Sequence, residues 1–356
     1  MYPNTLRRAA AVLAALAALP VAAQSGNPGG RINDRLGEMD YGVCRGTDPA
    51  CYHDWPRTKP AEYRVLLFTR TPGPRHANLG PPLAAGLNPP LAEGNIVQRE
   101  MVALLAKQQI KVDYTEDLAE MQAPRLNAYS AVIFFSTSRD TLDDGAKTAL
   151  RQYLRAGGGF VGIHNAFGTM YNWPYYEGLL GGANYYDHGP FRSGDVVVVD
   201  RNDASTKSLP QRWHFVDEWY NFVPFPTHVR FLATVDEKSW VPGENAYRNE
   251  GGGPPGAGRG GAPDGSGAPG AAGPPGGGRG GGRGLPSVVG EHPGHGSFHP
   301  VAWCQYYDGG KAWVTTLGHD AHLFDADNSK LPGALEFQKF IVGGIRSAMG
   351  LEPFCR

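Results

Sequence analysis

Apolar residues along this chain fall in short blocks separated by polar turns, and the spacing inside each block names an element. Arg64–Thr69 (RVLLFT), the short Val112–Tyr114 and Ala131–Phe135 (AVIFF) predict strands, the first and last being apolar runs too short for helices. Between the first two, Ile96–Gln109 puts Ile96, Val97, Met101, Leu104 and Leu105 on one helical stripe. Thr141–Arg155 repeats that spacing with Leu142, Ala146, Leu150, Tyr153 and Leu154. Thr141, with Asp144 three positions on, predicts its N-terminal cap, and Gly157 its left-handed stop. The stretch GGGFVGIHNAFG (Gly157–Gly168) then predicts a buried strand from Phe160, Val161 and Ile163. Gly162 and the small Ala166 let the backbone turn sharply there, which delivers His164 at the strand end.

The second half continues with strands at Val196–Val199, Val229–Val235 and Ala312–Leu317, the run His299–Trp303, and a terminal helix near Gly333–Met349. Strands and helices alternating with short connections predict parallel pairing and an α/β, doubly wound sheet. In such a sheet the carboxyl ends of the strands share one edge, where ligands bind. His76 follows the first strand, Ser136 and Thr137 follow AVIFF, His164 follows GGGFVGI, and His319 follows AWVTTL. These side chains are predicted to face one crevice, with His188 and Glu218 joining from intervening loops. His164, His188 and His319 with a carboxylate suit zinc or another divalent ion. The same groups suit acid–base work on a sugar-like substrate, with His164, His319 and Glu218 as the catalytic candidates.

Composition narrows the class. With 356 residues and 41% apolar content there is room for one large domain or two ordinary ones. A formal charge of −1 gives no support for nucleic acid or an anionic membrane as a partner. Residues 1–23 read as an export signal: Arg7 and Arg8, an apolar core from Ala9 to Leu19, then Val21-Ala22-Ala23 as a cleavage site. That core is too short to span a bilayer, so the expected location is periplasmic or secreted. Residues 24–60 read as a polar extension, and 251–284 as a disordered Gly/Pro-rich insertion within the domain. Cys44 and Cys51 are close enough to close a small loop, which leaves Cys304 and Cys355. An exported protein favours disulfides, although four cysteines allow three connectivities and spacing leaves the choice open.

The chain resembles the trehalose utilisation (ThuA-like) family. The landmarks are Arg75-His76, Gly157–His164, W-x-x-Y at Trp173–Tyr176, Leu180-Gly181-Gly182, His188, Asp217-Glu218 before Tyr220, His299–Trp303 and Leu317–His319. The resemblance runs from Tyr63 to Gly350 and implies a flavodoxin-like, class I glutamine amidotransferase-like three-layer sandwich over residues 61–350. Amidotransferases hold a nucleophilic cysteine at the turn where this chain has His164. Imidazole cannot supply thiolate chemistry, so glutamine hydrolysis is not expected. The resemblance implies glycoside catabolism, including keto-sugars. The expectation is an exported enzyme on a small carbohydrate, using acid–base or metal-assisted chemistry. Arg75, His76, Thr137, Asn165, Trp173 and Tyr220 are its expected substrate contacts. The alternative is a non-catalytic carbohydrate-binding module, or a partner-binding protein recruiting through the insertion.

Overall fold

In the computed structural model, residues 41–53, 63–246 and 292–356 are described. The export signal at 1–23, most of the extension at 24–60 and the insertion at 251–284 lie outside the described residues. The short apolar runs form parallel strands: β2 (Arg64–Phe68), β3 (Lys111–Thr115), β4 (Ala131–Phe135) and β5 (Gly159–Ile163), preceded by the two-residue β1 (Arg45–Gly46). Two strands of the second half follow, β6 (Tyr185–His188) and β7 (Arg192–Val198), then β8 (Arg212–Asp217) and β9 (Tyr220–Phe222). The last three are β10 (Arg230–Asp236), β11 (His299–Tyr307) and β12 (Gly310–Thr315).

The main sheet runs β3-β2-β4-β5-β12-β11-β10-β7-β8, with β1 added on β11. From β3 to β12 every pairing is parallel, and from β12 to β8 every pairing is antiparallel. The antiparallel half includes an element that apolar runs do not reveal. In β8, Trp213 and Phe215 are buried while Arg212 and His214 point to solvent, an edge strand with one wet face.

Alternation along the strands builds two cores. Val65, Leu67, Ile133, Phe135, Val161 and Ile163 pack with α1 (Ile96–Ala106), while Leu66, Phe68, Val132, Phe134 and Phe160 lie in the opposite cluster. That opposite cluster takes α3 (Asp144–Arg155) and α4 (Pro174–Leu179), after the single turn α2 (Ala123–Leu126). The terminal helix α5 (Ala334–Ala348) joins the α1 face through Phe337, Phe340, Ile341 and Ile345. The result is α/β with three layers, helices on both faces of the sheet. At β5, a Cβ on Gly159 would stand 2.4 Å from the Ala348 carbonyl oxygen, so only glycine lets the end of α5 close on this strand.

One local expectation is corrected. Asp143 caps α3, accepting from the Ala146 N–H at 2.7 Å, because the helix begins at Asp144. The Thr141 hydroxyl donates instead to the Arg70 carbonyl at 2.9 Å. Cys44 pairs with Cys51, and Cys304 with Cys355. Among the described residues no helix is long and apolar enough to cross a membrane.

Candidate functional site

β5 ends at Ile163 and the chain enters a tight turn over His164–Gly168. His164 sits there at φ 53, a left-handed conformation that costs a bulky residue free energy and is held by its surroundings. Across from it, a Cβ on Gly318 would lie 2.9 Å from the His164 Cβ, so the turn after β12 needs glycine to approach. The fully buried imidazole donates from Nδ1 to the Thr316 carbonyl at 2.8 Å, which leaves its Nε2 as a bare lone pair. That Nε2 faces His76 Nε2 at 3.1 Å and the Tyr220 hydroxyl at 3.2 Å.

On the other side, Glu218 Oε2 lies 3.1 Å from His319 Nδ1, 3.7 Å from His188 Nε2 and 3.9 Å from His164 Nε2. One ligand atom each from His76, His164, Glu218 and His319 lies within 4.8 Å of the others. They come from the loops after β2, β5, β8 and β12, as strand ends on one sheet edge should. The small sheet β6–β9 pairs His188 with Tyr220 and lays both over the cluster.

Burial decides the charges. It pushes His76 down to about 3, helped by the neighbouring His319, and drives His164 well below the usual histidine value, helped by His76. Burial also works against charging His319, but the Glu218 carboxylate outweighs it and raises that histidine. For Glu218, burial opposes ionisation, yet His319 carries it below the ordinary carboxylate range. The site therefore holds two neutral imidazoles beside an ionised Glu218 that favours the protonated form of His319.

A pH dependence of stability follows for the metal-free protein. His76 and His164 have folded values depressed from 6.5, that of His76 to about 3, so their stabilisation is full above 6.5 and is lost progressively as pH falls below it. Asp217, raised from 3.8 to about 7 by burial, works the other way, its contribution being lost as pH rises through that range. Two depressed histidines outweigh one raised carboxyl, which predicts a net loss of stability as pH falls from about 6 to about 4.5. Urea titrations across that window should show it, and a flat profile would contradict the neutral state of the two imidazoles.

Two supporting residues escaped sequence reasoning. Buried Asn78 donates from Nδ2 to the Gly318 carbonyl at 3.1 Å and the His319 carbonyl at 2.9 Å, clamping the turn that presents His319. Asp217 accepts from the Gly318 N–H at 2.7 Å and holds the same turn from the other side. Asn78 lies two positions after His76, but nothing in its neighbours marks it as a clamp.

Several expected contacts have other duties. The Arg75 guanidinium is committed to its own loop, donating to the carbonyls of Gly80, Leu79 and Pro81 and pairing with Glu116 at 2.8 Å. A fully engaged fork has no donor to spare for substrate. Thr137 is buried with its hydroxyl paired to Thr169 at 2.8 Å, and Asn165 donates to the Thr137 carbonyl at 3.0 Å, so both tie the elbow to β4. Trp173 stacks on Tyr175 and Tyr176 in the layer behind the sheet. His188 is not in the closest group, and His76 takes the place expected for it. The Nδ1 of His188 donates to the Gly189 carbonyl at 2.7 Å, which leaves Nε2 as its lone-pair nitrogen.

Comparison with known proteins agrees with this architecture. The ThuA family profile, described as trehalose utilisation, matches residues 64–346. A ThuA-like protein from Parabacteroides merdae ATCC 43184 is similar at 15% identity with a TM-score of 0.50, over 83% of this chain and 91% of its own. Another from Bacteroides uniformis ATCC 8492 shows 18% identity and a TM-score of 0.48, over 83% and 94%. No curated protein matches in sequence. With the family profile spanning the parallel strands, the elbow and the terminal helix, this chain belongs to the ThuA family.

Proposed function

We propose that this is an exported, metal-assisted enzyme acting on a small carbohydrate or keto-sugar. The observation that carries the reading is the cluster itself: three imidazoles and one carboxylate, delivered by four separate loops, with ligand atoms within 4.8 Å. The fit to a divalent ion can be judged from the donors. His164 presents a bare Nε2 to His76 Nε2 at 3.1 Å, an arrangement that needs either a proton on His76 or a shared cation. Burial keeps both rings neutral, the form that ligates, and Glu218 is held ionised. Three nitrogens and one oxygen suit zinc, with His76, His164, His319 and Glu218 as its ligands.

When bound, such an ion supplies polarisation of a substrate carbonyl or hydroxyl oxygen. The chain's own residues supply the proton chemistry. His188 Nε2, a lone-pair nitrogen on a quarter-exposed side chain beside Glu218, is the base placed to take a proton from an acidified C–H or O–H. Tyr220 stays a phenol, because burial drives its ionisation far above neutrality; in the ion-free protein its hydroxyl donates to His164 Nε2 at 3.2 Å, a bond given up when that nitrogen ligates. Tyr185, half-buried and packed edge-to-face on the buried Tyr220 at 4.8 Å, supplies an apolar wall of the kind on which sugars stack. Trp173, an expected substrate contact, is instead packed on Tyr175 and Tyr176.

The test is turnover of a ring-oxidised keto-glycoside by the purified protein before chelation, after chelation, and after zinc is restored. Activity should fall about a hundredfold or more on chelation and return with zinc. Turnover indifferent to chelation would remove the metal, and no turnover of any keto-glycoside would remove the assigned substrate class.

A further inference from the structure

Just beyond the tyrosine wall lies a cation that the cluster does not use. Arg139 is exposed and sits at φ 58, again left-handed for a bulky side chain. Its backbone is locked there: the N–H donates to the Gly168 carbonyl at 2.8 Å, and its own carbonyl accepts from Met170 at 2.9 Å. This isolated bridge to Thr169 ties Arg139 to the same elbow that carries His164. Its stem lies against Gly73, where a Cβ would stand 2.2 Å from the arginine Cγ, so the seat is open only to glycine. The guanidinium rests 5.9 Å from the centre of the Tyr171 ring, and among the described residues no carboxylate pairs with it.

Arg139 and the cluster flank the same aromatic layer. Tyr185 packs 4.8 Å from Tyr220, whose ring is 4.9 Å from that of His164. Both the Glu218 carboxylate and the Arg139 guanidinium act on the Tyr185 hydroxyl, in an environment set mainly by burial. A ligand ring lying on Tyr185 therefore has the cluster and the Arg139 cation, whose backbone is bonded to the elbow at Gly168, as neighbours.

We infer that the substrate is an anionic sugar, a glycoside bearing a carboxylate or phosphate that seats on Arg139 while its ring runs along Tyr171 and Tyr185 to the cluster. This rests on the carbohydrate reading above and adds its charge class. A guanidinium matches either anion with two parallel hydrogen bonds, and this one, exposed over Tyr171 with no carboxylate partner among the described residues, has its donors free for such an anion.

Calorimetric titration of the full protein with methyl β-D-glucuronide, glucose 6-phosphate and the neutral methyl β-D-glucoside tests it. One of the anions should bind about tenfold or more tightly than the neutral glycoside, and the tighter one names the group recognised. In R139Q that ratio should collapse towards one, while R139K keeps part of it. In the unaltered protein, raising salt from about 0.01 M to about 1 M should erode the same preference, a readout that does not depend on the variants folding. Equal affinities, or a preference that survives in R139Q, would overturn the anionic inference and leave the carbohydrate reading standing. Failure of all three sugars to bind would overturn both.

Discussion

Replacing His164 with alanine is expected to weaken zinc binding by about a hundredfold and to reduce turnover by about a thousandfold. The magnitude follows from the donor count: a structural zinc ion is bound by about 10–16 kcal/mol, so losing one of four ligands removes a few kcal/mol. His164 is the ligand with least slack. Its Nδ1 is pinned to Thr316 at 2.8 Å, its backbone is held at φ 53, and Gly318 lies against its Cβ. Alanine in a left-handed conformation adds a backbone cost of about 1–2 kcal/mol, so H164N, which tolerates that region better, serves as the folding control. Both variants should lose zinc, and among the metal-free proteins the alanine variant should show the lower melting temperature. Retained zinc affinity in a folded H164A would remove His164 from the ligand set.

The second large effect concerns stability. Removing the Cys304–Cys355 bridge is expected to cost about 4 kcal/mol, because it closes a loop of 51 residues and so restricts the unfolded chain strongly. Removing Cys44–Cys51, seven residues apart, is expected to cost only about 2 kcal/mol on the same reasoning. The native side contributes little to the difference. After loss of the long bridge, Phe354 remains packed on Tyr306 with ring centres 5.2 Å apart, and the Tyr306 hydroxyl still donates to the Phe354 carbonyl. The tail therefore stays docked on β11, and the change is felt through the unfolded ensemble. Urea denaturation of the C304S/C355S and C44S/C51S double variants measures both. Equal losses, or a larger one for the short loop, would contradict the loop-entropy account.

How much of this was legible in the sequence depended on whether a residue's role was local. AVIFF and GGGFVGI are apolar on both faces, and a strand buried on both sides has no other way to read, so β4 and β5 lie where the runs place them. The elbow at His164 followed from small residues around a strand end. The edge strand β8 and the ribbon β6–β9 did not, because one wet face breaks the apolar run into single residues such as Trp213 and Phe215. The cap of α3 was misplaced by one candidate because Thr141 and Asp143 are both competent acceptors, and only the start of the helix chooses between them.

The site shows the same division. Strand-end position was enough to nominate His76, His164 and His319, since topology alone brings such ends to one edge. It could not rank His76 against His188, because that depends on which ring the β6–β9 ribbon swings inward. Nor could it separate Arg75 from Arg139. Both follow strands on the site edge, but one fork is consumed by the carbonyls of its own loop and the other is not. Clamps such as Asn78 are invisible for a related reason: their partners are backbone atoms of a turn more than two hundred residues away.

The most direct test is to load the purified protein with zinc, dialyse it, and record the metal content together with the X-ray absorption spectrum. The prediction is a single zinc ion per chain, ligated by imidazole nitrogens and a carboxylate oxygen at about 2.0–2.2 Å with no sulfur. A protein that keeps no stoichiometric metal, or one whose zinc shows a sulfur shell, would contradict it.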